Sequence, residues 1–137
     1  MFLKLLILEL TIEELNFINK NECCRLATCF RNKPHVVPVS YIFFEGLIYI
    51  ATDYKTKKLS NIKNNPYASI VIDIYKPFTN KGIVINGDVE LIENGKSFND
   101  IYDLFFNKFE WVRMNPWNER EAPFLKIIPT SKARWGF

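Results

Sequence analysis

The chain has 137 residues and a mass of 16.2 kDa, which is typical of one domain, and we expect residues 1–137 to form a single domain. Hydrophobic residues make up 48% and charged residues 24% of the sequence, a balance that excludes an intrinsically disordered chain. The formal net charge of +3 does not favour a nucleic-acid-binding protein, in which basic residues are usually more concentrated.

The amino end is apolar and faintly resembles a signal peptide. Lys4 and Glu9 interrupt its apolar stretch, and no small-residue cleavage site follows before Thr11. We therefore expect this end to belong to the folded domain. The longest apolar run, residues 5–8, is far shorter than the roughly 20 residues that a membrane span needs, so no membrane partner is expected.

The first predicted element is a helix that follows Thr11. Thr11 and Glu14 have the spacing of a capping box, and the polar residues 19–21 end the helix. Apolar residues at helical spacing predict two more helices, at residues 55–64 and 97–109. Runs of β-branched and aromatic residues between turn signals predict strands at residues 24–30, 35–44, 47–52, 68–75, 82–92 and 124–128, with a short further strand up to Trp135.

About six strands joined by tight turns predict a closed antiparallel barrel, because closure protects the edges of hydrophobic strands. Residues 82–92 alternate cleanly, with Ile83 and Ile85 on one side and Asn86 and Asp88 on the other, as in a half-buried strand. The segment 111–123 mixes aromatic residues with proline and polar residues, and we expect it to form a loop.

The segment most indicative of function is residues 52–61. A strand ends at Thr52, and Lys55, Lys57 and Lys58 crowd the start of the short helix that follows. The amino end of a helix presents unpaired amides and a partial positive charge, which favour phosphate. The segment therefore predicts a phosphate-binding site, although a solvated basic helix end would have the same sequence.

Two further places could contact a flat ligand. Pro38 interrupts a strongly predicted strand, which places it at an edge or a bulge where backbone groups are free. His35, the single histidine, has either a structural role or that of a donor to a ligand. Trp135 either packs on its own core or forms a wall against a ring.

The three cysteines are Cys23, Cys24 and Cys29. They contain no C-x-x-C pair, and with one histidine the chain has too few ligands for a zinc site, so no metal is expected. We interpret them as reduced thiols, which indicates a cytoplasmic protein.

The order of these motifs resembles the pyridoxamine phosphate oxidase-like family of FMN-binding split barrels. The resemblance covers residues 11–92 well and the remainder only in general layout. It rests on the segments Arg25-Leu26-Ala27-Thr28, Pro34-His35-Val36-Val37-Pro38-Val39, Tyr49-Ile50-Ala51-Thr52, Lys57-Lys58-Leu59 followed in loose spacing by Asn61-Ile62, Asn64 and Pro66, Ala68-Ser69-Ile70-Val71-Ile72-Asp73 and Gly82-Ile83-Val84-Ile85-Asn86-Gly87.

The resemblance implies a mainly β fold, a six-stranded antiparallel split barrel of Greek-key type with short inserted helices. It also implies a homodimer with FMN in two clefts between the subunits. In the family pattern, Lys57 and Lys58 match the basic pair that holds the FMN phosphate, and Thr52 matches a hydroxyl residue at the same phosphate. The implied cofactor-binding set is completed by His35, Val36, Val37, Pro38 and Ser40 along the ribityl chain and ring, and by Trp135.

The sequence departs from the vitamin-oxidising members of that family. Ser40 stands where those members carry a lysine, and His35 where they carry an arginine. The carboxyl end, Ala133 to Phe137, also lacks their arginine-bearing tail pattern. We therefore expect an FMN-dependent oxidoreductase with an unassigned small-molecule substrate, and we identify no catalytic residue because the flavin supplies the redox chemistry.

Three alternatives remain open at this point. The first is a deazaflavin-dependent reductase on the same fold, because Lys55 and Lys63 would suit a longer acidic cofactor. The second is a small barrel that binds single-stranded nucleic acid by aromatic stacking, which the mild net charge disfavours. The third is a flavin-free barrel that binds haem or another flat ligand.

Overall fold

The structure, a computed structural model, describes residues 8–137, so the expectation for the amino end lies largely outside the described residues. The elements, in chain order, are α1 (Ile12–Lys20), β1 (Cys23–Phe30), β2 (Lys33–Phe44), β3 (Leu47–Ala51), α2 (Lys57–Asn64), β4 (Tyr67–Lys76), β5 (Thr79–Ile92), α3 (Gly95–Lys108), α4 (Glu110–Met114) and β6 (Phe124–Trp135).

The six strands form a closed antiparallel barrel in the order β1-β2-β3-β6-β5-β4, which confirms the predicted mainly β fold with inserted helices. Apolar side chains from alternate positions fill the barrel, as expected for strands with one buried face. A second apolar cluster lies outside the barrel, where α3 packs its Phe98 and Phe105 against Phe124 of β6.

The barrel is split along one side. Within residues 8–137, the first part of β2, residues 33–40, pairs with β1 alone, and the last part of β6, residues 129–135, pairs with β5 alone. Helix α1 bridges these two free edges. The Tyr41 hydroxyl on β2 donates a hydrogen bond of 2.5 Å to the Ile18 carbonyl, and Lys132 on β6 binds the Glu14 carboxylate at 2.5 Å.

The capping box of α1 forms as predicted. The Glu14 amide donates to the Thr11 hydroxyl at 3.1 Å, and the Thr11 amide donates to the Glu14 carboxylate at 2.8 Å. Since two otherwise unpaired amides are satisfied, the helix begins at the residue after Thr11.

Three segments differ from the sequence-based prediction. Residues 76–81, which lie between the predicted strands 68–75 and 82–92, form a tight turn: Phe78 adopts a φ of 65°, and β4 and β5 extend to Lys76 and Thr79 on either side of it. The loop expected at 111–123 begins with the short helix α4. The last two predicted strands are one strand, β6, with an irregularity beside Thr130, whose hydroxyl donates to the Asn86 carbonyl.

No helix among residues 8–137 is long and apolar enough to cross a membrane.

Candidate functional site

The loop between β3 and α2 is folded tightly around two threonines. Thr52, which is buried, donates its amide to the Pro123 carbonyl at 3.1 Å. Its hydroxyl oxygen lies 3.2 Å from that of Thr56. Thr56 in turn donates to the Asp53 carbonyl at 2.9 Å and accepts from the Leu59 amide as the N-cap of α2. The loop therefore fixes the position at which α2 begins.

Lys57 and Lys58 form the first residues of α2, and the first turn contains no acidic residue. Neither lysine forms an ion pair with any residue between 8 and 137. The first amides of a helix have no partner within the helix, so unpaired donors and two ammonium groups meet at one place. This arrangement suits a phosphate dianion.

Helix α2 is held against the barrel by two asparagines. Asn61, which is buried, donates its side-chain amide to the Thr28 hydroxyl on β1 at 3.0 Å. Asn65 donates to the Cys29 carbonyl at 2.9 Å. The Asn61 carbonyl oxygen has no hydrogen-bond partner among the described residues. Because Thr28 pairs with His35 of β2, these bonds place α2 against β1 and near the side of β2 that pairs with β1.

The free edge of β2 carries the other predicted cofactor-binding residues. His35 and Val37 are half-buried and pair with the buried Thr28 and Leu26, so they share the inner face of the sheet. Val36 and Pro38 face outward, and Val36 is 64% exposed. Ser40 shares the outward side with them and is half-buried.

Pro38 lies opposite Arg25 in an unbroken register between β1 and β2. The predicted position at an edge or a bulge is therefore confirmed as an edge. Because β2 has no second neighbour at this point within the described chain, its outward backbone groups remain available to a ligand.

Trp135 lies on the opposite free edge, near the end of β6. Its indole packs across Gly82 of β5, where a Cβ atom would approach the ring to 2.3 Å. Its Nε1–H donates to the Asn80 side chain at 2.8 Å, and the residue is 37% exposed. Around the closed barrel, β1, β4 and β5 separate this strand from β2 in one direction, and β3 alone separates them in the other.

The structure thus brings the residues Thr52, Lys57 and Lys58 together, at a helix that packs on β1 and contacts β2. Thr56 and Asn61 also belong to this group. The sequence signal for Thr56 is a threonine directly before a helix, whereas the pairing of Asn61 with Thr28 joins residues 33 positions apart and has no local signal.

The cysteines and the histidine do not form a cluster. Cys23, Cys24 and Cys29 are free thiols, and burial raises the pKa of Cys24 to about 12, so this thiol stays protonated and unreactive. Among residues 8–137 no group of three histidine, cysteine or acidic side chains is placed to hold a metal ion.

Comparison with known proteins identifies one family. The family model described as pyridoxamine 5′-phosphate oxidase matches residues 10–128, which is most of the chain. No curated protein matches the sequence significantly.

Several solved structures share the fold. A candidate pyridoxamine 5′-phosphate oxidase from Listeria innocua superposes with a TM-score of 0.75 at 16% identity, covering 91% of this chain and 97% of its own. A FAD-binding protein from Mesorhizobium loti has a TM-score of 0.76 at 19% identity, covering 91% and 94%. The haem storage protein HutZ from Vibrio cholerae has a TM-score of 0.78 at 13% identity, covering 94% and 95%. At such identities these structures show only that the fold is shared. Since one of these proteins binds FAD and another stores haem, proteins of this fold bind more than one kind of flat ligand.

Proposed function

The chain belongs to the pyridoxamine 5′-phosphate oxidase family, and from that membership we propose that it is an FMN-binding oxidoreductase acting on a small molecule. The observation that carries the proposal is the start of α2, where two unpaired lysines and two threonine hydroxyls meet on a helix packed against β1 and β2. FMN bound with its phosphate at the start of α2 could extend along β2 to its free edge.

The donor set fits the phosphate end of FMN. Lys57 and Lys58 would neutralise the phosphate charge, and the first α2 amides would donate hydrogen bonds to its oxygens. The Thr56 hydroxyl, which donates to the Asp53 carbonyl, and the Thr52 hydroxyl beside it fix the loop that presents these donors. The first turn of α2 contains no acidic residue, and Asp53, in the loop before it, is exposed.

The edge of β2 fits the remainder of the cofactor. Val36 and Pro38 present apolar surface outward, and the unpaired backbone groups of this edge can bond the polar rim of the ring. The side chains of His35 and Val37 lie on the inner face, so these residues would contact the cofactor through their backbone. FMN would supply the electron transfer, while the residues of this chain bind it, orient it and exclude water.

We propose further that the active form is a homodimer. The outward face of β1, β4, β5 and β6 carries a row of small apolar residues, Val71, Val84 and Ala133, flanked by the ion pair of Arg25 and Asp73. Val71 and Val84 are half-buried and Ala133 is exposed, so a partner packed on this row would bury apolar surface. Val36 and Trp135 belong to the same face at its two edges, so a second copy packed there would bring one chain's Trp135 towards the other chain's β2.

The test is to titrate the purified, cofactor-free protein separately with FMN and with riboflavin, which has the same ring without the phosphate. If the start of α2 holds the phosphate through two charge-assisted contacts, FMN binds at least about 100-fold more tightly than riboflavin. Equal affinities for the two compounds would reject the phosphate site.

The absorption spectrum of the protein as isolated tests the cofactor class. A flavin spectrum supports the proposal, and a deazaflavin spectrum moves the protein to the reductase alternative on the same fold. A haem Soret band would make this chain functionally similar to HutZ, which shares its fold.

A further inference from the structure

The loop between β3 and α2, residues 52–56, leads directly into the proposed phosphate site. The hydrogen bonds of its threonine side chains stay within the loop or cap α2. Within the described chain, two bonds tie the loop to other elements. The Thr52 amide donates to the Pro123 carbonyl at 3.1 Å, and the Tyr54 hydroxyl donates to the Glu93 carboxylate at 2.8 Å. The second is the loop's one side-chain hydrogen bond to another element among residues 8–137.

Both anchoring residues lie at one firmly held place in the barrel. Glu93 directly follows β5 and Pro123 directly precedes β6. Beside them the two strands pair through Ile92 and Phe124, which are both buried. The Glu93 carbonyl also accepts from the Arg120 amide at 3.0 Å. The backbone that carries the Glu93 carboxylate is therefore fixed on both sides.

The bond to Glu93 carries the loop across the end of β6. The loop leaves β3 after Ala51, which pairs with Phe124 of β6, and β6 separates β3 from β5 in the barrel. Tyr54 thus reaches past one strand to the next, where its hydroxyl forms a charge-assisted hydrogen bond. Its half-buried ring packs on the barrel core, and the Lys63 Nζ in the last turn of α2 lies 5.8 Å from the ring centroid. Tyr54 therefore connects the loop to the barrel core and to the end of β5.

The first turn of α2 depends on this loop for its position. The side chains that bond α2 to β1 are Asn61 and Asn65, which lie in the second half of the helix and at its end. Lys57 stands three positions after Tyr54, so a shift of the loop moves the first turn with it. Donors held within about 0.5 Å of their productive positions bind more tightly, because the ligand does not have to order them.

We propose that Tyr54 and Glu93 are positioning residues of the FMN phosphate site. Their hydrogen bond fixes the loop before α2, so that the lysines and amides of the first turn are in place before the phosphate arrives. This inference rests on the proposed function, because it concerns how that same site is held.

The test compares FMN with riboflavin on the full chain, because the ratio of the two affinities isolates the phosphate site from effects on the ring or on stability. Tyr54→Phe removes the donor and leaves the charge unchanged, so we expect this ratio to fall about three- to tenfold. Glu93→Ala and Glu93→Gln remove the same charge, but Glu93→Gln keeps an acceptor. The ratio should therefore be about three- to tenfold higher for Glu93→Gln than for Glu93→Ala.

Two further measurements separate positioning from a general structural effect. In the Tyr54→Phe background the two Glu93 variants should give the same ratio, since no hydroxyl is left to use the acceptor. Tyr102→Phe is the matched control, because its hydroxyl accepts from the Trp117 amide at 3.2 Å and bonds no residue of the loop 52–56. This variant should keep the wild-type ratio.

The outcomes distinguish this inference from the proposed function. Equal affinities of the wild type for FMN and riboflavin would reject the phosphate site, and the inference with it. If the wild type prefers FMN but Tyr54→Phe keeps the wild-type ratio, or Tyr102→Phe lowers it equally, the inference alone is overturned. Circular dichroism shows whether each variant is folded. If Tyr54→Phe is not, the Glu93 variants decide, and equal ratios for Glu93→Gln and Glu93→Ala overturn the inference.

Discussion

At the scale of single residues, Lys57 and Lys58 are the side chains on which the flavin proposal depends most. We predict that Lys57→Ala/Lys58→Ala lowers FMN affinity by two or more powers of ten, because each charge-assisted contact to phosphate contributes about 1.5–3 kcal/mol. Fluorescence titration of FMN measures the change, and riboflavin affinity should hardly move.

The control for this prediction is Lys20→Ala/Lys63→Ala. It also removes two positive charges, but at positions that are not at the start of α2. Lys20 ends α1 and Lys63 lies in the last turn of α2. Both double variants should keep the cooperative unfolding of the wild type. If they lose FMN affinity equally, the effect is one of overall charge and the assignment of the phosphate site is wrong.

Trp135 carries the second prediction at this scale. We predict that its indole lies near the flavin of the partner subunit, so Trp135→Ala should lower flavin affinity by roughly 0.5–1.5 kcal/mol beyond the loss of buried area. Flavin fluorescence should also rise as water reaches the ring. The competing possibility is that the indole stabilises only its own barrel, by packing on Gly82 and donating a hydrogen bond to Asn80. In that case the thermal unfolding temperature falls while flavin affinity and fluorescence stay unchanged.

The residues that could be recognised from the sequence are those whose signal is local. The adjacency of Thr52, Lys57 and Lys58 follows from a strand that runs into a short helix. By contrast, the bond between Asn61 of α2 and Thr28 of β1 depends on how elements distant in the sequence pack. No pattern within one segment carries that information.

At the scale of elements, the contact between α1 and β6 holds the split side of the barrel together. Glu14 is fully buried, Lys132 binds it at 2.5 Å, and the Arg134 Nε lies 3.6 Å from its second oxygen. Burial by itself would raise the pKa of Glu14, but the Lys132 and Thr11 hydrogen bonds and the charges of Lys132 and Arg134 hold it below 4.5.

We predict that Glu14→Gln lowers the free energy of unfolding by about 1.5–3 kcal/mol at pH 7, because it removes hydrogen bonds to a charged group. The folded-state pKa is below the ordinary one, so the stabilisation is fully present above pH 4.5 and is lost as the pH falls through the folded value. Urea unfolding at pH 7 and near pH 3 should therefore show a difference from wild type that shrinks in acid.

The neighbouring Glu13 provides the control, since it is exposed on the same turn of α1. Glu13→Gln should change the free energy of unfolding by less than about 1 kcal/mol. A Glu14→Gln variant as stable as Glu13→Gln at pH 7 would show that the contact between α1 and β6 does not stabilise the fold.

The elements themselves were largely predictable, and the exceptions have physical reasons. Each strand has a local pattern, so all six were expected. The prediction did not extend β4 and β5 up to the turn at Phe78, because the proline and the polar residues around this turn resemble a loop. The prediction divided β6 into two strands because Pro129 and Thr130 interrupt its pattern. In the structure β5 pairs with both halves, so they form one strand.

At the scale of the whole molecule, the outward face of β1, β4, β5 and β6 determines the expected assembly. Val84 lies in the middle of this face, between Val71 of β4 and Ala133 of β6. We predict that the wild type is a homodimer and that Val84→Glu is a folded monomer, because a two-fold interface would bury two uncompensated carboxylates. A stable pair of this kind commonly buries more than about 2,000 Å².

Light scattering at micromolar concentration measures the assembly, with a mass of twice 16.2 kDa expected for the wild type and 16.2 kDa for Val84→Glu. Ile12→Glu is the control, since Ile12 is an exposed apolar residue on α1, away from this face. A monomeric wild type, or a Val84→Glu variant that remains dimeric, would contradict the predicted interface.

The last prediction concerns which subunit supplies each part of the flavin site. Val36 and Trp135 lie at opposite edges of the sheet face that we propose as the dimer interface, so a complete site should combine Lys57 and Lys58 of one subunit with Trp135 of the other. A mixed dimer of a Lys57→Ala/Lys58→Ala chain and a Trp135→Ala chain then contains one wild-type site and one site with all three changes. Isolated through two different affinity tags, it should bind one FMN per dimer with wild-type affinity. If each site is instead built from a single chain, no site in the mixed dimer is intact, and titration will show two sites that are both weaker than those of the wild type.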